Sequence, residues 1–217
     1  MGYDAVLFDH DGVLVDLTST ATHREGARAA FDAVGVGDPA DEDVEATSIG
    51  VTPEVLQDVC ERYDVDPREF WYQRDTITAR GQYEEMRAGE KGPYDDLDVL
   101  EDLPVPLGVV SSNQRMTVAF SLSYFDVEHH FETLEARDPT VTSLARKKPD
   151  PYYVQRALAD LDATDALFVG DSETDVEAAD RAGIDSAFLR RPHRAETELT
   201  ISPDYELDGL HELPELL

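Results

Sequence analysis

The pattern of apolar and polar positions changes texture along the chain. Residues 4–8, DAVLF, are a short apolar run that reads as a buried strand. From about residue 17 to 91 the chain is strongly polar and helical in pattern, and no convincing strand appears. One helix is expected over 20–34, with Ala27, Phe31 and Val34 on one face. A second starts at Thr52-Pro53 and a third at Asp66-Pro67, each a capping residue followed by proline at the first helical position. The third runs through Phe70, Trp71, Ile77 and Tyr83 towards Met86, where AGEKGP breaks it.

Strands and helices alternate after that. DDLDVLEDL reads as helix, PLGVVSS as strand, 114–124 as helix and FETLEA as a short strand. A helix begins at Pro151, followed by the strand ALFVGD, the helix TDVEAADRAG and the strand SAFLR. YELDGLHELPELL supplies a last strand and a final helix. This alternation predicts an α/β fold, a parallel sheet covered by helices on both faces. Residues 1–16 and 92–217 would form that core domain. The helical block, 17–91, is far longer than a βα loop and is expected to be a domain of its own. Inserted after the first strand, it should hang over that strand's carboxyl end, where open parallel sheets bind ligands.

Composition narrows the partners. The chain has 217 residues, 41% of them hydrophobic, enough for one sizeable core plus a smaller insert. Lys and Arg number 18 against 48 Asp and Glu, a formal charge of -30. A field of that sign repels nucleic acid and anionic membranes, so neither is expected as a partner. The acidity is spread along the chain and reads as adaptation to high salt. Lysine is scarce, limited to Lys91, Lys147 and Lys148. The single cysteine, Cys60, cannot form an intrachain disulfide, which fits a reducing, cytoplasmic compartment. It lies at helical spacing among Val55, Leu56, Val59 and Tyr63 and is expected to be a packed core thiol. No signal peptide is visible in MGYDAVLFDHDG, and without a run of about 18 apolar residues no membrane span is expected.

The candidate chemistry sits at strand ends. Asp9 and Asp11 follow the first strand, with Gly12 freeing the backbone to turn. LFVGDSETD ends another strand in Asp171 and Asp175. Carboxylates converging from two strands repel one another unless a cation joins them, and hard oxygen ligands favour Mg²⁺. Two further βα ends are polar without being acidic. VVSSN offers Ser111, Ser112 and Asn113 ahead of a helix N-terminus, a setting for an anion. KKPDPYY places Lys147 and Lys148 just before a proline-started helix, where a compact ammonium can meet a phosphate. Carboxylates, Mg²⁺, hydroxyl and lysine together describe phosphoryl transfer.

DHDGVLVD, VVSSN, KKPDPYY and GDSETD, in this order across the whole chain, resemble the four motifs of the haloacid dehalogenase superfamily of phosphohydrolases. The resemblance implies a Rossmann-like core domain with a mobile all-helical cap inserted between the first two motifs. It implies that Asp9 is the nucleophile, forming an aspartyl-phosphate. Asp11 would protonate the leaving oxygen, later activate water, and offer its backbone carbonyl to Mg²⁺. Ser111 would bind the phosphoryl group, with Ser112 and Asn113 beside it, and Lys148 would neutralise it; Ser112 and Lys147 compete for the same roles. Asp171 would bind Mg²⁺ directly, with Asp175 beside it or one water away. His23 on the first cap helix, and Gly50 and Thr52 in SIGVTPE, are candidates for substrate specificity, Thr52 equally for a plain helix start. His10 between the aspartates is unusual, and Asp16 is a candidate for the site or for holding its loop.

These readings favour a Mg²⁺-dependent phosphatase acting on a small phosphorylated metabolite, similar to phosphoglycolate phosphatase. A sugar phosphomutase of the β-phosphoglucomutase kind shares every core motif. Asp11 argues against a 2-haloacid dehalogenase. The helical block has no lysine except Lys91 at its edge, which argues against a phosphonoacetaldehyde hydrolase. An intact set of Asp9, Asp11, Lys148 and Asp171 argues against a non-catalytic binding protein. The substrate's identity and the oligomeric state are not legible in the sequence.

Overall fold

In the computed structural model, which describes residues 2–217, the chain divides into two compact units. The first runs up to Leu17 and continues through Gly92–Ala136 and Arg146–Leu217. The second comprises Thr18–Lys91 and Arg137–Ala145.

The first unit is built on a sheet of six strands among the described residues: β1 (Ala5–Phe8), β2 (Leu107–Gln114), β3 (Thr133–Arg137), β4 (Ala166–Gly170), β5 (Asp185–Leu189) and β6 (Tyr205–Leu207). Their order is β3-β2-β1-β4-β5-β6. β1 pairs in parallel with β2 and β4, and the parallel pairing continues from β4 to β5 and β6. The register sets Phe8 opposite both Val109 and Val169, so β1, β2 and β4 deliver their carboxyl ends side by side. β1 is buried at every position because both of its faces are covered. Val6 and Phe8 join one apolar cluster with Val118 and Leu122 of α5 (Arg115–Tyr124). Ala5 and Leu7 join the other, with Val154 and Ala157 of α7 (Tyr152–Asp160) and Ala178 and Ala179 of α8 (Glu173–Ala182). The side-chain period of two along the strand thus feeds two helical layers.

The second unit is helical. α1 (Thr20–Ala33), α3 (Pro53–Tyr63) and α4 (Pro67–Ala88) stand where the pattern places helices. Ser19, Thr52 and Asp66 cap them by accepting hydrogen bonds from first-turn backbone N–H groups. Ala27, Phe31, Leu56, Val59, Phe70 and Trp71 meet in its core. Cys60 is fully buried there, and burial pushes its thiol up to about 12, so it behaves as an apolar core group.

The structure departs from the sequence pattern in three places. α2 (Asp41–Ala46) and α6 (Val141–Leu144) are short helices that the pattern does not announce, each too brief to show a helical period. DDLDVLEDL and the C-terminal segment each hold a six-residue 3₁₀ turn, Leu97–Asp102 and Leu210–Glu215, instead of an α-helix. In the second of these, Pro214 lacks the N–H that an α-helix would need. Arg137–Ala145, assigned by sequence to the sheet domain, packs with the helical unit instead. Leu144 enters that unit's core, and Arg137 pairs with Asp75 through two contacts of 2.6 and 3.0 Å.

Candidate active site

The site is assembled within the first unit, at the carboxyl ends of β1, β2 and β4. Asp9 follows β1 and is buried; its backbone N–H donates to Val169 of the neighbouring strand at 2.9 Å. Asp171 follows β4, and Asp175 is the third residue of α8. One carboxylate oxygen of each lies within 4.8 Å of the others. Two glycines permit this crowding. Gly12 has φ +85°, and a Cβ there would lie 2.5 Å from Asp171 Oδ2. A Cβ on Gly170 would lie 2.2 Å from the Cβ of Asp175.

Lys148 closes the cluster from below. Its Nζ lies 2.7 Å from Asp9 Oδ1 and 2.6 Å from Asp175 Oδ1, and donates to the Val110 carbonyl at 3.3 Å. The ammonium also sits 5.3 Å from the centre of the Phe168 ring. The Lys148–Pro149 peptide is cis, and the Lys148 backbone N–H donates to Ser112 Oγ at 3.1 Å. Burial alone would lower the lysine's pKa; Asp175 and Asp9 outweigh it and hold the ammonium above its ordinary range. Burial pushes Asp9 the other way, up to about 8, with Lys148 opposing and Asp175 and Asp171 adding to the rise. Lys147, its neighbour, is half-buried.

The loop after β1 turns Asp11 towards β2. Asn113 Nδ2 donates to Asp11 Oδ2 at 2.7 Å, and His10 Nδ1 lies 3.2 Å from the same oxygen. His10 is fully buried, and its backbone N–H donates to Asp9 Oδ1 at 2.7 Å. Ser111, Ser112 and Asn113 are the last residues of β2 before Gln114, and Ser111 Oγ accepts the Asn113 N–H at 3.1 Å. Asp16 holds the loop: its backbone and carboxylate both bond Gly92, at 2.9 and 3.0 Å.

Asp175 has two tasks already. Its Oδ2 accepts from the Ser172 N–H at 3.0 Å and from its hydroxyl at 2.6 Å, capping α8, while Oδ1 grips Lys148. Asp175 therefore reaches a cation in the cluster through water, or by exchanging one of these partners. Asp9 and Asp171 have fewer such commitments. Three buried carboxylates face the buried ammonium of Lys148 and the part-exposed guanidinium of Arg194; with all of them ionised one negative charge is in excess, and hard oxygen donors at this spacing fit a divalent cation such as Mg²⁺.

Sequence reasoning missed the loop after β5. His193 Nε2 lies 2.7 Å from Asp171 Oδ2, and Arg194 Nε donates to that oxygen at 2.9 Å. Arg191, buried, donates to both oxygens of Asp96 at 2.8 Å and to the Val13 carbonyl at 2.8 Å, and lies 3.8 Å over the Tyr94 ring. The available signal was RRPHR: three arginines and a histidine within five residues of a cation-poor chain, immediately after a strand.

The specificity candidates fall in the helical unit. His23 lies on α1, Gly50 in the loop before α3 with φ +68°, and Thr52 is the α3 cap, accepting from Val55 N–H at 3.3 Å.

Comparison with known proteins fits the geometry of strand-end carboxylates and buried lysine. A sequence profile described as haloacid dehalogenase-like hydrolase matches residues 6–189, which include every carboxylate and the lysine of the site. The chain belongs to this family. By that description it is a hydrolase. It is 28% identical to pyrophosphatase PpaX of Bacillus velezensis over 96% of this chain and 94% of that one. It is also 28% identical to phosphoglycolate phosphatase of Pseudomonas fluorescens, over 82% of this chain and 66% of the relative. Among solved structures, a subfamily IA hydrolase of the superfamily from Geobacter sulfurreducens matches with TM-score 0.62 and 19% identity, covering all of both chains. A hydrolase from Pseudomonas syringae matches with TM-score 0.64 and 17% identity over 98% of this chain and 97% of that one. These two likenesses establish the Rossmann-like α/β fold. Among the described residues no helix is long and apolar enough to cross a membrane.

Proposed function

We propose that the protein is a Mg²⁺-dependent phosphatase, similar to phosphoglycolate phosphatase, that hydrolyses a small phosphorylated metabolite through an aspartyl-phosphate on Asp9, the role the superfamily resemblance implies for that residue. The observation that carries this reading is the position of Lys148 Nζ, 2.7 Å from Asp9 and 2.6 Å from Asp175, beside the Asp9–Asp171–Asp175 cluster. A phosphoryl group placed at Asp9 there meets a nucleophile and an ammonium side by side in one buried cluster. Asp9, Asp171 and the backbone carbonyl of Asp11 would hold Mg²⁺, with Asp175 in reach; bound, the cation would neutralise the phosphoryl oxygens.

The residues divide the work. Asp9 attacks phosphorus, a P–O bond forms, and the bond to the leaving oxygen breaks. Asp11, oriented by Asn113 and His10, gives that oxygen its proton. Asp11 then takes a proton from water, water attacks phosphorus, and the Asp9–phosphorus bond breaks to release phosphate. Ser111 Oγ, at the end of β2, binds the phosphoryl group, and Lys148 offsets its charge. Burial that holds Asp9 near 8 opposes its carboxylate form, and a cation in the cluster would restore it. His23, Gly50 and Thr52 are the helical unit's candidates for choosing the substrate. The formal charge of -30 supports a salt-adapted enzyme, and the single, buried Cys60 fits a reducing, cytoplasmic compartment.

The deciding experiment is phosphate release across a panel of phosphorylated metabolites with Mg²⁺, in dilute and in molar salt. Release from one or a few small phosphoesters, abolished by chelator, is expected. Conversion of a sugar phosphate to an isomer without release would make the protein a mutase, and silence across the panel in both salts would overturn the reading.

A further inference from the structure

Arg194 stands beside the site with hydrogen-bonding capacity to spare. Its Nε donates to Asp171 Oδ2 at 2.9 Å, while its two Nη groups meet no acceptor among the described residues. The side chain is one-third exposed, at 33%, whereas the Asp171 carboxylate it touches is 3% exposed. One edge of the guanidinium therefore faces the metal-site carboxylate and the other is open.

The loop that carries it is fixed. Arg190 donates to the backbone carbonyls of Arg194 and Thr197 at 3.4 and 3.1 Å and to Glu206 at 2.6 Å. Arg191 is locked on Asp96 and on the Val13 carbonyl, which ties this loop to the one after β1. Arg194 thus projects from an anchored backbone. Holding Asp171 alone would not require a guanidinium, since His193 Nε2 already lies 2.7 Å from the same oxygen. A planar fork with two free amino groups is the side chain best shaped for a second carboxylate or phosphate.

We propose that Arg194 is a specificity residue: with Nε on Asp171, it offers Nη1 and Nη2 to a second anionic group on the substrate. The preferred substrates then carry a phosphate or carboxylate on the leaving group, close to the scissile P–O bond. As a statement about turnover, this rests on the phosphatase reading above. As a statement about binding, it does not.

Two measurements test it on the full chain. In the first, calorimetry with excess Mg²⁺ compares methylenediphosphonate, which carries two anionic groups and resists hydrolysis, with methylphosphonate, which carries one. Arg194→Gln should weaken the diphosphonate at least about tenfold more than the monophosphonate, the scale of lost charge-assisted hydrogen bonds. Arg194→Lys keeps the charge without the fork and should restore only part of the difference; it also preserves the test if the glutamine variant melts early. In the second, kcat and KM are measured for pyrophosphate, phosphoglycolate and p-nitrophenyl phosphate. The loss in kcat/KM should be at least about tenfold greater for one or both anionic leaving groups than for nitrophenol, and should fall mainly on KM. Whether pyrophosphate or phosphoglycolate suffers more tells phosphate from carboxylate recognition. Equal weakening of both phosphonates would mean that Arg194 acts only through Asp171, and unchanged binding would equally overturn the proposal. If the wild type releases phosphate from nothing, the phosphatase reading fails, while a selective calorimetric loss still supports the anion contact.

Discussion

Each unit of this protein buries a cluster of charges, and the two clusters are balanced in opposite ways. In the helical unit, Asp75 is fully buried between Arg137, at 2.6 and 3.0 Å, and Arg74, at 3.2 Å. The remaining guanidinium donors find acceptors: Arg74 bonds the carbonyls of Thr47 and Ser48, and Arg137 bonds Ser143 Oγ and the Asp138 carbonyl. Both guanidiniums also lie near the Trp71 ring, at 4.9 and 5.2 Å. Burial pushes Arg74 down to about 10, with Asp75 opposing, so it stays charged at neutral pH. In that network a carboxylate, three carbonyls and a hydroxyl answer the two guanidiniums. In the sheet unit, three buried carboxylates meet one buried ammonium and the part-exposed guanidinium of Arg194, so that with all of them ionised the deficit is one positive charge. Buried charge alone does not mark a functional site; a buried surplus of carboxylates at strand ends, which a cation could join, is the better mark.

The comparison can be broken most decisively at its single-carboxylate substitutions. Asp9→Asn should fold, since an amide keeps the shape of a carboxyl group that without metal already holds its proton near neutral pH, yet lose turnover by more than about 10⁴-fold because an amide is a poor nucleophile. A phosphate-release rate above about one-hundredth of wild type would sink the covalent reading. Asp75→Asn should do the reverse. It leaves two buried guanidiniums without their counterion and should lower stability by about 3–5 kcal/mol in urea denaturation. A loss below about 1 kcal/mol would mean that the carbonyls and Trp71 suffice without Asp75.

A subtler test uses pH. The folded protein without metal holds a proton on Asp9 up to about 8, far above the value in an unfolded chain. A raised folded-state pKa contributes stability that is full at low pH and disappears as pH rises through that value. Without Mg²⁺ the melting midpoint should therefore fall as pH rises from about 4, the unfolded value, to about 8, the folded one, and Asp9→Asn should flatten that slope. Mg²⁺ competes with the proton, so its stabilising increment should grow over the same range. An increment of equal size in Asp171→Asn would place the cation elsewhere.

The smallest effect expected per charge is the general one. With a net charge of -30, surface repulsion extends about 30 Å at 0.01 M salt and about 3 Å at 1 M. KCl should raise the midpoint steeply at first and then slowly, and a midpoint flat from 0.01 to 3 M would remove the salt-adaptation reading. The Asp75 network, already neutralised by direct contact, should show little of this dependence compared with the surface.

Much of this was legible in the chain. The alternation after residue 92 announced the parallel sheet because each strand is a short apolar run bounded by turns. The long helices announced themselves through Thr52-Pro53 and Asp66-Pro67, since capping is a local interaction between residues a few positions apart. Asp9, Asp11, Asp171 and Asp175 could be singled out for the same local reason: each lies at or a few residues beyond the end of an apolar strand. α2, α6 and the 3₁₀ turns were not readable, because a segment of four to six residues makes no more than about two turns and scarcely repeats a period.

What the sequence by itself determined is therefore the set of elements with strong local signals and the chemical inventory carried at their ends. Only the tertiary structure decided the pairings. It chose Asp175 and Asp9 as the partners of Lys148, gave Asp171 to His193 and Arg194, and moved Arg137–Ala145 into the helical unit through Asp75. Those partners lie between 22 and 139 positions apart along the chain. Contacts at such separations leave no periodic trace; they exist because the strand order β3-β2-β1-β4-β5-β6 and the packing of the helices bring remote loops to one edge of the sheet or into one core.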